Sequence, residues 1–562
     1  MSQSTSQVSA SHYKDWPNTT GLDAHYEERS PVELSVEGKI PSYISGTLFR
    51  TGLGPRIIDR GAAPAFKVNH WFDNFSQVHR FHIDPSGSVM YNSRLTSDGL
   101  IEQARKTGKL EGFTFARKYE PCRSFFKKAQ AMFQPVQRPN APNERNVGVT
   151  ITANYPGLDN KGHASIVPYD KATVSQITMK TDASVFQILD PESLEPVGVA
   201  EQAKLHPELT GPLSAAHAEH DPTTGDIFNY NLDLGRTATY RVFRTSASTG
   251  KTSILATISH DPAYIHSQFL TENYLVLCMW NSSFTKGGAS MLWHRNLMDA
   301  MIWDNKRPAT WFVIDKRPPE QGGRGLVARY ETEPFFCFHS VNSYEETVDG
   351  KTDIVCDLLG YEDISVLSRF YFKNMLSDSP AAAKWSDPSN TKARPTYRRY
   401  RLPAIPDRPN KAVSKALIEY QSPPQSAPEL PTINPNYQTK KHRYIYGISD
   451  TGLSTFADSL VKYDTETHEV KRWSVHGHTA GEAIFVPDPA GMDGEEDEGV
   501  LLTVVLDGFE GKSYLLILDA RSLDTVAKAH VDGVVGMGFH GLWAGSKAEL
   551  ATTTTTTPVA KL

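Results

Sequence analysis

Apolar side chains along this chain gather in short runs bounded by turn formers, not in the three-to-four spacing of an amphipathic helix. ENYLVLCMW (272–280), TWFVIDK (310–316), TDIVCDLLGY (352–361) and GVLLTVVLDGF (499–509) are each rich in branched and aromatic residues, the pattern of buried strands. Long amphipathic helices are few. Three further stretches resemble one another: FQILDPESLEPVG (186–198), LVKYDTETHEVKRW (460–473) and LLILDARSLDTVA (515–527). Each reads as a strand, a turn opened by aspartate and carrying Ser or Thr, then a second strand. A hairpin recurring through one long all-β chain predicts the radial repetition of a propeller, although an antiparallel sandwich also uses such hairpins.

Between about 376 and 432 the texture changes to a Pro-, Ser- and charge-rich stretch, which predicts a long excursion over the surface because strand texture resumes after it with the same hairpin type. The expected organisation is a mobile N-terminal segment (1–30), a single propeller unit (31–546) and a disordered Thr-rich tail (547–562). PCRSFFKKAQAMFQP (121–135) mixes Phe125, Phe126, Met132 and Phe133 with Arg123, Lys127 and Lys128. That combination suits either a helix lying in a membrane interface or a short packed helix with a basic outer edge.

Composition narrows the classes. A formal net charge of −6 over 562 residues, with 39% hydrophobic residues, gives no basic excess for nucleic acid. No run reaches the roughly 18 to 20 apolar residues of a membrane span, and the N-terminus carries no secretory pattern, so the expectation is a chain kept inside the cell. Cys122, Cys278, Cys337 and Cys356 are scattered without a CxxC pair, against a disulfide framework or a thiolate zinc site.

Candidate chemistry rests on histidine. His217 in SAAHAEHD, His266 in AYIHSQF, His339 in FFCFHSVNSYEE and His540 in GMGFHGLW all stand in apolar surroundings, where a lone histidine is ordinarily a satisfied core residue. Four imidazoles without thiolates would suit Fe, Zn, Cu or Ni. Zinc with four protein ligands is closed and structural, whereas iron holds six ligands and would keep two positions open. The separations of 49, 73 and 201 residues demand a fold that carries distant strands to one axis, and with 19 histidines in the chain spacing alone selects no quartet.

GTLFRTGLGP (46–55), HWFDNFSQVHRF (70–81), AAHAEHDPTTGD (215–226), FHSVNSYEE (338–346) and GFHGLW (538–543) together resemble, in order and over nearly the whole chain, the carotenoid cleavage oxygenases. The resemblance implies a seven-bladed β-propeller with one non-haem Fe(II) on its axis, held by His217, His266, His339 and His540. It makes His220 the competitor of His217, and His70 and His79 structural. It also implies three carboxylates behind the ligands, where the ring nitrogen turned away from a metal needs a partner. Glu429 in PELPTIN and Glu482 in GEAIFVP match two of them. The third position holds Asp182 where the family carries glutamate, so the backbone must approach more closely, a water must bridge, or the correspondence has slipped.

The implied activity is dioxygen-dependent cleavage of one conjugated double bond of a carotenoid or apocarotenoid, giving two carbonyl products, with torulene or a β-carotene-type polyene as the best guess. The implied partners are an apolar polyene and O2, with no nucleic acid and no obligate protein partner. Two relatives of the same fold compete. Stilbene-cleaving members place a lysine directly before the first carboxylate, where this chain has Thr181, with Lys180 one residue further back; a retinyl ester isomerohydrolase would use the same histidines and iron. An insoluble substrate implies contact with lipid, to which the resemblance assigns 121–135. The expected location is cytoplasmic and peripheral to membranes, with the terminal AKL leaving a peroxisomal address as the minor alternative.

Overall fold

The strand-forming runs pair with their neighbours in sequence. The computed structural model describes residues 12–110, 113–117, 141–167, 173–235, 237–491 and 494–545, and these form seven sheets of four to six strands, arranged as a seven-bladed β-propeller. Blades two to six span 150–201, 219–260, 269–332, 336–421 and 429–473, and blade seven spans 478–530. Blade one joins both ends of the chain. Gly541–Gly545 pairs antiparallel with Gly46–Leu53 on the inner side, while Ser35–Gly38 adds an outer strand to blade seven beside Thr525–His530. Ring closure is thus made twice, by backbone hydrogen bonds between segments nearly 500 residues apart.

All four strand runs read from patterning are strands: Tyr274–Met279, Ala309–Asp315, Lys351–Tyr361 and Gly499–Asp507. The three related segments are the hairpins of blades two, six and seven, and they share one turn. Asp190, Asp464 and Asp519 each use Oδ1 to accept from the backbone N–H two and three residues on. The residue four on, Leu194, His468 or Leu523, takes a left-handed φ of about 60° and donates its N–H back to the aspartate carbonyl. The longest described helix, Asp98–Thr107, has only 10 residues.

Two expectations need correcting. The stretch 376–432 is not a surface excursion: Thr396–Ile405 is the third strand of blade five, antiparallel to Lys351–Tyr361, with Tyr397, Tyr400 and Leu402 buried. Tyr400 packs on Trp311 and Phe335 at ring separations of 5.2 and 5.4 Å, across the junction with blade four. Its arginines misled because their counter-charges lie within the same sheet: Arg399 makes a two-pronged pair with Asp357 on the neighbouring strand (2.9 and 2.8 Å), and Arg401 reaches Asp353 on that strand and Glu346 on the one beyond. The described part of the N-terminal segment is also packed. Tyr13, Trp16 and Leu22 are buried, Trp16 Nε1 donates to Thr479 Oγ1 at 3.1 Å, and Asn18 Nδ2 donates to the Met375 carbonyl at 3.0 Å. Residues 121–135 and 547–562 lie outside the described residues.

Candidate metal centre

Each blade sends one chemical group to the axis. His217 stands just before the inner strand Glu219–His220 of blade three, His266 before Phe269–Leu270 of blade four, and His540 before Gly541–Gly545 of blade one. His339 lies within Phe336–Val348 of blade five, at a bulge where the register shifts between Cys337 and Ser340; a bulge re-aims a side chain that regular pleating would point elsewhere. Asp182 of blade two, Glu429 of blade six and Glu482 of blade seven complete the ring.

The structure brings the four histidines together. One ring nitrogen of each lies within 4.8 Å of those of the other three, and ring centroids are 4.2 to 5.4 Å apart for the pairs in contact. His220 is outside this group. His70 donates to or accepts from backbone only, through Leu367 O and Phe72 N, and His79 meets the Tyr91 hydroxyl at 2.9 Å.

Behind the quartet, three Nδ1 atoms meet carboxylates: His266 with Asp182 (2.8 Å), His339 with Glu429 (2.6 Å) and His540 with Glu482 (2.7 Å). A carboxylate accepting from Nδ1–H fixes the tautomer and leaves the Nε2 lone pair facing the axis. Asp182 reaches His266 directly, and its position is fixed by Ser214 N–H, which donates to the Asp182 carbonyl, and by Ala216 N–H, which donates to its Oδ1. Each carboxylate has a further donor on its other oxygen. Tyr264 Oη donates to Asp182 at 2.8 Å, Tyr361 Oη to Glu429 at 2.5 Å, and Arg50 Nη1 to Glu482 at 2.8 Å. At Glu429 the next residue, Leu430, takes a φ of 48° so that its N–H reaches the same carboxylate at 2.7 Å, a strained backbone held for a positional reason.

The electrostatics favour the neutral ring at His217 and His540 and the charged acid at Glu429 and Glu482. Burial, reinforced by the neighbouring imidazoles, pushes His217 well below the ordinary histidine range. Burial also takes His540 down to about 4 against the opposing pull of Glu482. For Glu429 and Glu482, burial acting alone would raise the pKa; the facing histidines outweigh it, with help from Tyr361 and Arg50 respectively, and hold both below the usual carboxylate range. Neutral imidazole backed by ionised carboxylate is the metal-binding form. Nε2 of His217 and of His339 are buried with no hydrogen-bond partner among the described residues, an expensive state for a polar atom unless an ion occupies the centre. A metal fits.

On one side of the quartet lies a cavity of about 510 Å³ ending on His266, His339 and His540. Its walls carry Trp71, Phe72, Phe115, Phe338, Phe370, Phe456 and Phe539, with Phe72 central to the cluster at 4.8 Å from Phe115 and 5.2 Å from Phe370. Thr181 faces this cavity, and Lys180 does not. Sequence reasoning missed these rings together with Arg50, Tyr264 and Tyr361, though signals existed: Phe338 and Phe539 directly precede ligand candidates, Tyr264 stands two residues before His266, and Arg50 and Phe72 lie within conspicuous motifs.

Residues 21–545 match the family described as retinal pigment epithelial membrane protein. The chain belongs to the carotenoid oxygenase family. It is 40% identical to a carotenoid dioxygenase of Neurospora crassa, over 94% of this chain and 91% of that one. It is 37% identical to a torulene dioxygenase of Fusarium fujikuroi, over 96% and 95% respectively. Among solved structures, a variant of the Synechocystis apocarotenoid oxygenase superposes with a TM-score of 0.72 over 95% of this chain and 99% of that one, at 21% identity.

Proposed function

We propose that this family member is an Fe(II)-dependent dioxygenase that cleaves one conjugated double bond of a carotenoid or apocarotenoid, torulene or a β-carotene-type polyene, to two carbonyl products. The observation that carries the reading is the junction of the aromatic cavity with the histidine quartet: an apolar chain lying among Phe72, Phe338 and Phe539 passes beside His266, His339 and His540. Iron held by His217, His266, His339 and His540 would supply dioxygen activation. The protein's own part is positional. Asp182, Glu429 and Glu482 orient three of the ligands, and the aromatic walls exclude water and align the polyene.

Relatives at 37–40% identity carry dioxygenase names, which supports oxygenation over ester isomerisation. Among the described residues no lysine lines the cavity, where Thr181 and not Lys180 stands, which supports polyene over stilbene. Membrane contact belongs to the same proposal: the basic and aromatic composition of 121–135 suits a membrane interface, and Phe113 to Phe115, which precede it in the chain, and Asn146 and Val149, which follow it, border the cavity. No described helix is long and apolar enough to cross a membrane.

One experiment tests these points together. Protein reconstituted anaerobically with Fe(II) is exposed to air with liposomes carrying torulene, β-carotene, a long apocarotenal or resveratrol, and aldehydes are identified by mass while co-sedimentation is read in the same tubes. Paired carbonyl fragments from a polyene, with the enzyme in the pellet, are expected. Cleavage of resveratrol alone, or no turnover despite bound iron, would overturn the substrate assignment, and protein left wholly in the supernatant would overturn the membrane one.

A further inference from the structure

Three of the four axial histidines are held through their rings by carboxylates, and His217 is not. Asp182, Glu429 and Glu482 are each committed to another ligand, and the His217 ring makes no hydrogen bond to any described residue, its Nε2 being buried without a partner. An imidazole with no acceptor behind it turns readily about its Cβ–Cγ bond, so something else must set its aim.

The chain leading to it does so. Residues 211–217 run alongside Ile227–Asp233, the second strand of blade three, and their backbone groups are taken up one after another. Asn231 grips Gly211 at both ends, Oδ1 accepting from its N–H at 2.8 Å and Nδ2 donating to its carbonyl at 2.9 Å. Leu232 N–H donates to the Leu213 carbonyl at 2.8 Å. Ser214 donates its N–H to the Asp182 carbonyl and its hydroxyl to the Tyr230 carbonyl. Asn229 repeats the two-ended grip on Ala215, accepting at 3.3 Å and donating at 3.0 Å. Ala216 is held from blade two: its N–H donates to Asp182 Oδ1 at 3.2 Å, and its carbonyl accepts the Thr150 hydroxyl at 2.7 Å. His217 N–H then donates to the His266 carbonyl at 3.2 Å, tying one ligand's backbone to the next. Thr150, Asn229, Ala215 and Ala216 are all buried, so a lost bond there is not replaced by one to bulk water.

We infer, resting on the reading of the quartet as an iron site and not on the organic substrate, that Thr150 and Asn229 are positioning residues of the metal centre. They aim His217 through its backbone, as the carboxylates aim the other three ligands through their rings. Thr432 provides a matched comparison. Its hydroxyl donates to the Ala483 carbonyl at 2.6 Å, beside Glu482, but the ligand served there, His540, already has a carboxylate behind its ring.

Protein loaded anaerobically with Fe(II) is mixed with excess ferrozine, and iron release is followed for wild type, Thr150→Val, Thr150→Ser, Asn229→Leu and Thr432→Val. The urea midpoint of each metal-free protein is measured alongside. Thr150→Val should release iron about threefold to tenfold faster than wild type, the range for losing one buried neutral hydrogen bond, and Thr150→Ser should restore the wild-type rate. Thr432→Val should stay within about twofold of wild type although its midpoint falls as far as that of Thr150→Val. Asn229→Leu should act in the direction of Thr150→Val; if it fails to fold, the two Thr150 variants carry the test. Equal acceleration by Thr150→Val and Thr432→Val would make Thr150 a structural residue only and overturn the inference, as would an unchanged rate in Thr150→Val. A wild type that retains no Fe(II) after loading would overturn the iron reading itself, and this inference with it.

Discussion

A carboxylate that steadies a ligand histidine behaves differently according to what holds its second oxygen. At Glu429 the partner is the neutral Tyr361 hydroxyl; at Glu482 it is Arg50, and the pair is buried on both sides, with side chains 4% and 6% exposed. Glutamine at either position should lower metal retention about 10- to 100-fold, since the ring behind it loses its charged acceptor. The costs in stability should part company. Glu482→Gln leaves a buried guanidinium uncompensated, a loss of ~3–5 kcal/mol, whereas Glu429→Gln keeps a hydrogen-bonding amide against a hydroxyl and should cost about 1 kcal/mol. Denaturant titration alongside metal analysis checks this; equal destabilisation by the two changes would mean that Arg50 is stabilised by something other than Glu482. These acids and the four histidines could be picked out from motifs, because the residues on either side are distinctive. Tyr361 could not, since a tyrosine ending a buried strand announces no partner until the fold supplies one, and the motifs that hold Arg50 and Tyr264 mark those residues without naming the carboxylates they meet.

The element that repeats most faithfully is the aspartate turn. Beyond the three hairpins whose likeness is visible in the chain, Asp221 and Asp507 open the same construction, each accepting from the N–H groups two and three residues on, with Gly225 and Gly511 at the left-handed position. These copies escaped the sequence comparison because glycine replaces the larger residue, although glycine is the residue such a φ favours. Gly511 isolates that preference. Its φ is 63° and the nearest atom to an added Cβ is Thr20 Cγ2 at 4.0 Å, so Gly511→Ala meets no clash and should cost ~1 kcal/mol through backbone strain alone. A urea midpoint that does not move would show that the turn adapts, and metal content should stay the same either way. At Gly538 the constraint is different: a Cβ would lie 2.0 Å from the Thr51 carbonyl oxygen, which is why GMGFH can bring His540 against the inner strand of blade one. Blade five was misread for the opposite reason, because charge in YRRYR signals solvent only when its counter-ions are not on the next strand.

At the scale of the molecule, the seven-fold convergence is what no local pattern encodes, since the ring is closed by pairing Gly46–Leu53 with Gly541–Gly545 and Ser35–Gly38 with Thr525–His530. The same architecture buries histidines that take no part in the centre. Burial lowers His70 to about 4, against the pull of the Leu367 carbonyl, and His442 to about 4, against that of Asp357; His79 falls to about 3, with Arg50 adding to burial. Each is neutral when folded, while in the unfolded chain it titrates near its ordinary value of about 6.5. Their folded pKa values are depressed, so their contribution is fully present above about 6.5 and is lost as pH falls through the folded values, because protons that only the unfolded chain accepts pull the equilibrium toward it. The stability of the protein should therefore decline steadily from pH 6.5 to about pH 4, with each such histidine adding up to about 1.4 kcal/mol per pH unit to the slope. Urea unfolding at pH 7.5, 6 and 5 measures it. His79→Gln, which keeps a polar group opposite Tyr91, should be less stable at pH 7.5 yet show a shallower decline, and a slope identical to wild type would mean that His79 is protonated inside the fold.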